Sequence, residues 1–467
     1  MIVTTLKLEA MDLDGSQDSS HHKGDKMKRA MMKKRRYAGI LFLLFVLSPF
    51  GLTGAKTSQA ETIDDLKQTI SQMKATMELL QQKVAELEEK QTAAAETVAD
   101  SNSSNGGALI VPKDTSIKLY GYAKLDTIYT DKDGGGKNSY VPSAVPLDSE
   151  ADTLASNALT MHAKQSRLGI FTSTPTDYGQ LNTRIETDFY GSGGNEAFSN
   201  SYGIRLRRAY GELGNLLIGQ EWSTFIDLAS YPETIDFGGP AGSLFIRQAQ
   251  IRWTQPYSFG SLQFALENPE SVYQSKDELA PTAGSGEYLP DLIVRANFDT
   301  ALGHFSLAGL GRQIIVDSGL YEDESYGGAI SATASLPLFD KDKMVMQFNY
   351  GNALGRYMEA EFADAFINPA THNIETSDQW GGLVSYQHFW TNSLRSTLVY
   401  SYAERDNDLD VVSDTADSIY QSVHANLLWS PVSQVNIGLE YIYATREIEN
   451  GEDGDINRVQ LGFQYSF

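Results

Sequence analysis

The last eleven residues of the chain, Asn457–Phe467, read NRVQLGFQYSF. Successive side chains of a strand point to opposite faces, so Val459, Leu461, Phe463, Tyr465 and Phe467 share one face, and Arg458, Gln460, Gly462, Gln464 and Ser466 share the other. One face is wholly apolar, the other polar, and the run ends on an aromatic residue. Two structures use such a strand: a half-buried sheet of a soluble protein, and a membrane β-barrel with lipid outside and water inside.

The sequence upstream separates the two. Runs of about ten residues with the same alternation recur near 116–130, 158–173, 179–191, 201–212, 214–221, 247–256, 260–268, 290–299, 303–316, 325–337, 344–353, 378–389, 392–403, 418–430, 434–448 and 455–467. Their connections alternate in length. Short ones carry turn residues, as in Pro175-Thr176-Asp177, Gly214-Asn215 and Asp340-Lys341-Asp342; the others, near 131–157, 191–200, 222–246, 269–289, 317–324, 354–377, 404–417 and 449–454, are longer loops. An even strand number with tight turns at one end and loops at the other predicts an all-β fold, a 16-stranded antiparallel transmembrane barrel over residues 116–467.

Composition agrees. The 467 residues carry 37 Lys+Arg against 60 Asp+Glu, a net charge of −23, and no cysteine. There are no disulfides and no thiolate chemistry, and the charge argues against a nucleic-acid partner. A mean hydropathy of −0.31 is too polar for a bundle of membrane helices.

The N-terminal quarter has a different organisation. Met27–Arg36 (MKRAMMKKRR) is basic, Ile40–Leu47 (ILFLLFVL) is apolar but shorter than the ~20 residues that span a bilayer, and Ser58-Gln59-Ala60 suits a cleavage site. Residues 1–60 therefore read as an extension plus a signal peptide, with translation starting at Met1 or Met27 and cleavage after Ala55 or Ala60. Next, Ile63, Ile70, Met77 and Val84 occupy a and Leu66, Met73, Leu80 and Leu87 occupy d of a 3.5-residue repeat. This narrow stripe predicts a self-associating coiled coil over 61–92; a single packed amphipathic helix is the other reading, and the repeat does not fix the strand number. Residues 93–115, rich in Ala, Ser, Asn and Gly, read as a flexible linker.

Within the barrel, residues between the lipid-facing positions face the lumen. That parity turns Arg167, Arg184, Arg205, Arg207, Arg252, Arg295, Arg312, Arg395 and Arg458 inward, with Lys118 and Lys124 on the first strand; Arg208 and Arg247 are ambiguous, and Glu186, Asp188 and Glu440 are the main inward acids. Guanidinium is always charged and matches a carboxylate with a planar fork, so a ladder of them would pass small anions from site to site. The same arginines would also serve as braces if acidic loop residues pair with them. The 222–246 loop, with Tyr231-Pro232 and Gly238-Gly239-Pro240 fixing its course, is placed to fold inward as a constriction, where Asp227, Glu233 and Asp236 would oppose strand arginines; an ordinary outer loop is the alternative.

No nucleophile elbow, zincin, Walker or dinucleotide motif is present, so neither an enzyme nor a cofactor or metal is expected. DKDGGG at Asp131–Gly136 lacks the spacing of a calcium loop and reads as a turn. His162, His304, His388 and His424 have no recognisable partner in the sequence. A tether or adhesin with a structural barrel, or an outer-membrane hydrolase, are the competing classes.

The segments ETIDDLKQTISQMKATMELLQQKVAEL (61–87), KLYGYAKLD (118–126), AKQSRLGIFTSTPTDYG (163–179), LRRAYGEL (206–213), IGQEWSTF (218–225) and LGFQYSF (461–467) together resemble the DcaP-like outer-membrane channels of Gram-negative bacteria. The resemblance implies a homotrimer in the outer membrane, coiled coils in the periplasm where another partner could bind, and diffusion of dicarboxylates and related anions such as anionic β-lactamase inhibitors. Periodicity does not distinguish a dicarboxylate from a phosphate or a sugar acid.

Overall fold

The computed structural model describes residue 112 and residues 114–150, 156–276, 282–283, 286–317 and 322–467. The leader, heptad segment and most of the linker lie outside the described residues.

Sixteen antiparallel strands close into one barrel. They are β1 (Ser116–Lys132), β2 (broken into Ser156–His162 and Arg167–Thr176), β3 (Gly179–Asn195), β4 (Ser201–Leu213), β5 (Leu216–Trp222), β6 (Arg247–Tyr257), β7 (Gly260–Glu267) and β8 (Asp291–Thr300). The second half comprises β9 (Gly303–Asp317), β10 (Glu322–Leu338), β11 (Asp342–Gly351), β12 (Gln379–Phe389), β13 (Leu394–Arg405), β14 (Asp417–Val432), β15 (Val435–Ile448) and β16 (Asp453–Ser466). Each strand pairs with the next, and β16 closes on β1 in register from Tyr122↔Ser466 to Thr130↔Arg458. The terminal Phe467 exchanges backbone bonds with Gly121, its N–H donating at 3.1 Å and its carbonyl accepting at 3.3 Å. Closure removes the free edges that an open sheet would expose.

Tight turns gather at one end. Gly214-Asn215 joins β4 to β5, with Gly214 at φ +59°, the left-handed geometry that glycine supplies at the first position of a type II′ hairpin. The outer wall carries the apolar parity: Leu159, Met161, Leu168, Ile170, Ile204, Leu206, Ile251, Leu292, Leu398 and Leu439 are exposed. At the turn end Tyr257 stacks on Phe259 (5.1 Å) and Phe259 on Phe298 (5.7 Å), part of an aromatic rim.

Two irregularities depart from simple alternation. The run predicted over 158–173 is not one strand: it breaks at residues 163–166, where the Ser166 hydroxyl accepts from the N–H of Lys124 at 3.0 Å and donates to its carbonyl at 3.3 Å, in place of a backbone partner. The break reverses parity, so Met161 and Leu168 both face outward. In β4 a bulge inserts Arg207 between the pairs Thr187↔Leu206 and Glu186↔Arg208.

The barrel is filled from the loop end. The segment between β5 and β6 and the segment between β11 and β12 enter together and pair with each other. The Phe245 N–H donates to the Tyr357 carbonyl and the Glu359 N–H to the Ser243 carbonyl, both at 2.9 Å. Phe225, Ile226, Leu244, Leu354, Met358 and Phe362 form the main apolar cluster against the inward Ala265, Ile293, Ala308 and Leu310. Burying a side chain of this size stabilises by about 1.5–3 kcal/mol, which holds the loops in the lumen.

Candidate functional site

The inward course of the 223–246 loop follows from what the wall offers it. Glu440 on β15 accepts the N–H groups of Ile235 (2.9 Å) and Asp236 (3.0 Å). Ser401 on β13 and Ser422 on β14 accept from the N–H groups of Gly242 (2.8 Å) and Ala241 (3.3 Å). Gln347 and Asn349 on β11 donate to the carbonyls of Ser230 (2.6 Å) and Gly242 (3.1 Å), and Lys124 on β1 to that of Ile235 (2.7 Å). The loop backbone, stripped of water, is thus satisfied by inward polar side chains from several strands. Room is made by glycine. A Cβ at the inward Gly462 would meet Ile235 Cγ2 at 2.8 Å, one at Gly381 would meet Met358 Sδ at 2.8 Å, and one at Gly438 would strike the Ile235 side chain.

The loop acids do not face the channel as a row. Glu233 is gripped by Arg395 on β13 (2.6 and 2.7 Å), and Asp236 lies 3.5 Å from Arg458 on β16 and accepts the Tyr140 N–H at 2.8 Å. Asp227 accepts from Ser230 and Thr333 (both 2.6 Å) and lies 3.3 Å from His304. All three tie the loop to the wall behind it. What the loop turns toward the opposite arginines is aromatic. Phe237 stacks on Tyr190 (4.4 Å), with the guanidinium groups of Arg205 and Arg207 at 5.3 and 5.6 Å from its ring centre. Arg247 lies over Trp222 (4.6 Å) and Phe245 (5.2 Å).

The arginines themselves divide in two. Arg205 makes a bidentate pair with Asp188 (3.0 and 2.8 Å), and Arg207 bridges Glu186 (2.9 Å) and Asp188 (2.8 Å). Arg167 sits 3.6 Å from Glu186. The bulge at Arg207 turns Arg208 inward as well, onto Glu221. Arg312 is fully buried, bonded to Asp364 (2.7 Å) and to the carbonyls of Ala353 and Glu270; it and the buried Arg458 brace loops rather than line open space. Lys124 is buried against Asp126 (3.0 Å), while Lys118 is exposed at the turn end. By contrast Arg184, Arg247, Arg252 and Arg295 have no ion pair among the described residues. Arg184 is surrounded by the rings of Tyr120, Phe171 and Tyr210 at 5.3–6.0 Å, and Arg295 donates to the Ile226 carbonyl.

This chain belongs to the DcaP outer membrane protein family, which matches residues 51–467. Among solved structures, the outer membrane channel DcaP of Acinetobacter baumannii superposes with a TM-score of 0.68 at 24% identity, over 78% of this chain and 100% of that one. The anion-selective porin from Comamonas acidovorans superposes at 0.51 and 13% identity, over 76% and 100%. No curated protein sequence matches the chain. The protein is therefore an outer-membrane barrel of porin fold, and family and fold are those of a channel rather than an enzyme.

In this DcaP-family barrel the inward loops leave a cavity on each side. On the turn-end side, one of about 350 Å³ is lined by Arg208, Arg252, Arg295, Gln263, Asn297 and His304. On the loop-end side, one of about 480 Å³ is lined by Arg356, Arg405, Arg446, Glu361, Phe362 and Tyr420. Sequence parity did not single out the second set, because Arg356 lies on a loop and Arg405 and Arg446 lie near the loop ends of β13 and β15. Nor are the four histidines isolated: His162 bonds the Asn138 carbonyl (2.9 Å), His304 pairs with Asp299 (2.8 Å), His388 with Asp342 (2.8 Å), and His424 lies 3.7 Å from Glu440. Pairing of neighbouring strands, and for His162 a loop carbonyl, brings these partners together. Among the described residues, no three His, Asp or Glu side chains converge as a metal site.

Proposed function

We propose that the protein is a trimeric outer-membrane channel through which small anionic solutes, dicarboxylates among them, diffuse along an arginine-lined lumen. One observation carries this reading: among the described residues Arg184, Arg252 and Arg295 face inward without an ion-paired carboxylate. Positive charge left unanswered along a narrow path draws anions in and excludes cations. The paired arginines serve a different purpose, fixing loops and strands. Trp222 and Phe245 hold the guanidinium face of Arg247, which has no ion pair among the described residues, whereas the N–H groups of Arg205 and Arg207 over Phe237 are taken by Asp188 and Glu186.

The heptad over 61–92 supports self-association on the periplasmic side, carried by the 93–115 linker, with residues 1–60 removed on export. Cross-linking the detergent-extracted protein tests the trimer.

The test of the channel is the zero-current potential of the purified protein in planar bilayers under a KCl gradient, repeated with succinate. Anion selectivity with succinate interrupting the current is expected. Cation selectivity, or no conductance from a folded oligomer, would sink the reading in favour of a tether or adhesin.

A further inference from the structure

The loop-end cavity is lined by one guanidinium, Arg405, and one carboxylate, Glu361, that form no ion pair among the described residues. Arg405 is only 2% exposed. Its guanidinium lies over the rings of Phe362 (5.2 Å) and Phe366 (4.8 Å), and Nη2 donates to the Asp417 carbonyl at 3.0 Å. Its Nε has no acceptor, and no carboxylate pairs with it among the described residues. The Asp417 carboxylate is occupied by Arg446 Nε at 2.5 Å. Arg356 is engaged as well, by Gln248, by the Asn268 carbonyl (2.8 Å) and by Asp291 (3.3 Å). Glu361, on the inward loop at φ +53°, borders the same space, and its carboxylate has neither a hydrogen bond nor an ion pair among the described residues. Arg405 and Glu361 do not pair with each other.

Arg405 is desolvated without an ion-paired carboxylate, which is costly, and a ligand carboxylate recovers that cost on binding; Glu361 is exposed and adds attraction for an ammonium. A plain anion would answer Arg405 and be repelled by Glu361; a plain cation would do the reverse. A zwitterion answers both. The volume of about 480 Å³ lies within the range of small-molecule sites.

We propose that this cavity is a binding site for an α-amino acid with an acidic side chain, its carboxylate on Arg405 and its ammonium on Glu361. The net negative charge of such a ligand suits the arginine path below it, so the proposal rests on the channel reading for transport, though not for binding.

Calorimetric titration of the full, detergent-extracted protein with L-glutamate and with glutarate tests it, since glutarate differs only by lacking the ammonium. L-glutamate is expected to bind tighter than glutarate by about tenfold or more. Glu361→Gln should bring L-glutamate to the level of glutarate and leave glutarate unweakened. Because Glu361 lies on a loop outside the strands, this variant is expected to keep the heat-modifiable gel mobility of a folded barrel. Arg405→Lys should weaken both ligands. Equal binding of the two by the wild type, or an unaltered glutamate preference in Glu361→Gln, would overturn the proposal. The zero-current potential is read separately: cation selectivity with the glutamate preference intact would defeat the channel reading alone, and anion selectivity without that preference would defeat this site alone.

Discussion

Glu233, on the loop folded into the barrel, is held by Arg395 of β13 through two parallel hydrogen bonds, Nε to Oε2 at 2.7 Å and Nη2 to Oε1 at 2.6 Å. Gln387 adds a third bond to the same carboxylate at 2.6 Å. The pair lies behind the loop, between it and the wall, so its role is to set where the loop sits. Arg395→Gln should lower barrel stability by about 1–3 kcal/mol, the cost of an orphaned partner, while barely moving the reversal potential. Thermal melting by gel mobility, alongside bilayer recording, checks both. A large change in selectivity without a change in melting would assign Arg395 to the permeation path instead.

The arginines without ion pairs should behave oppositely. Replacing Arg184, Arg252 and Arg295 together with Gln is expected to cut the anion-over-cation permeability ratio by about threefold or more with the fold retained. If the ratio stays at the wild-type value, unpaired charge in the lumen does not set selectivity.

Gly438 gives a steric test of the loop position. Any side chain there runs into Ile235, the residue whose N–H is held by Glu440. Gly438→Val should dislodge the loop and give larger, noisier single-channel currents from a barrel that still folds. Unchanged conductance would mean that the loop does not limit the path.

Glu359 carries a pH effect. Burial on the inward loop pushes its carboxyl up to about 8 from an ordinary 4.5, against the opposing N–H of Gly239 at 3.1 Å. The folded protein therefore holds this proton up to about pH 8, whereas the unfolded chain releases it near 4.5. The contribution to stability is complete below the lower value and is lost as pH rises through the upper one. Between pH 5 and pH 9 the melting temperature of the wild type should fall more than that of Glu359→Gln. An equal fall in the two would show that Glu359 titrates normally.

Much of this was legible along the chain. Sixteen alternating runs located sixteen strands, because lipid on one side and water on the other impose a period of two that no turn or loop imitates. The same parity turned Arg184, Arg252 and Arg295 inward. It failed where the backbone leaves that period: Ser166 interrupts β2 and reverses its faces, and the bulge at Arg207 directs two consecutive arginines to the same side.

The barrel wall, then, is written in local order, since each strand needs only its own alternation and a short turn. Which arginines stay free is not. Arg395, Arg312 and Arg458 are neutralised by Glu233, Asp364 and Asp236, residues 52 to 222 positions away, and only closure of the barrel around two inward loops brings them together. The same closure presents Phe237 to Arg205 and leaves Arg405 and Glu361 facing one cavity, since a lumen charge is defined by what lies across from it and not by its neighbours in the chain.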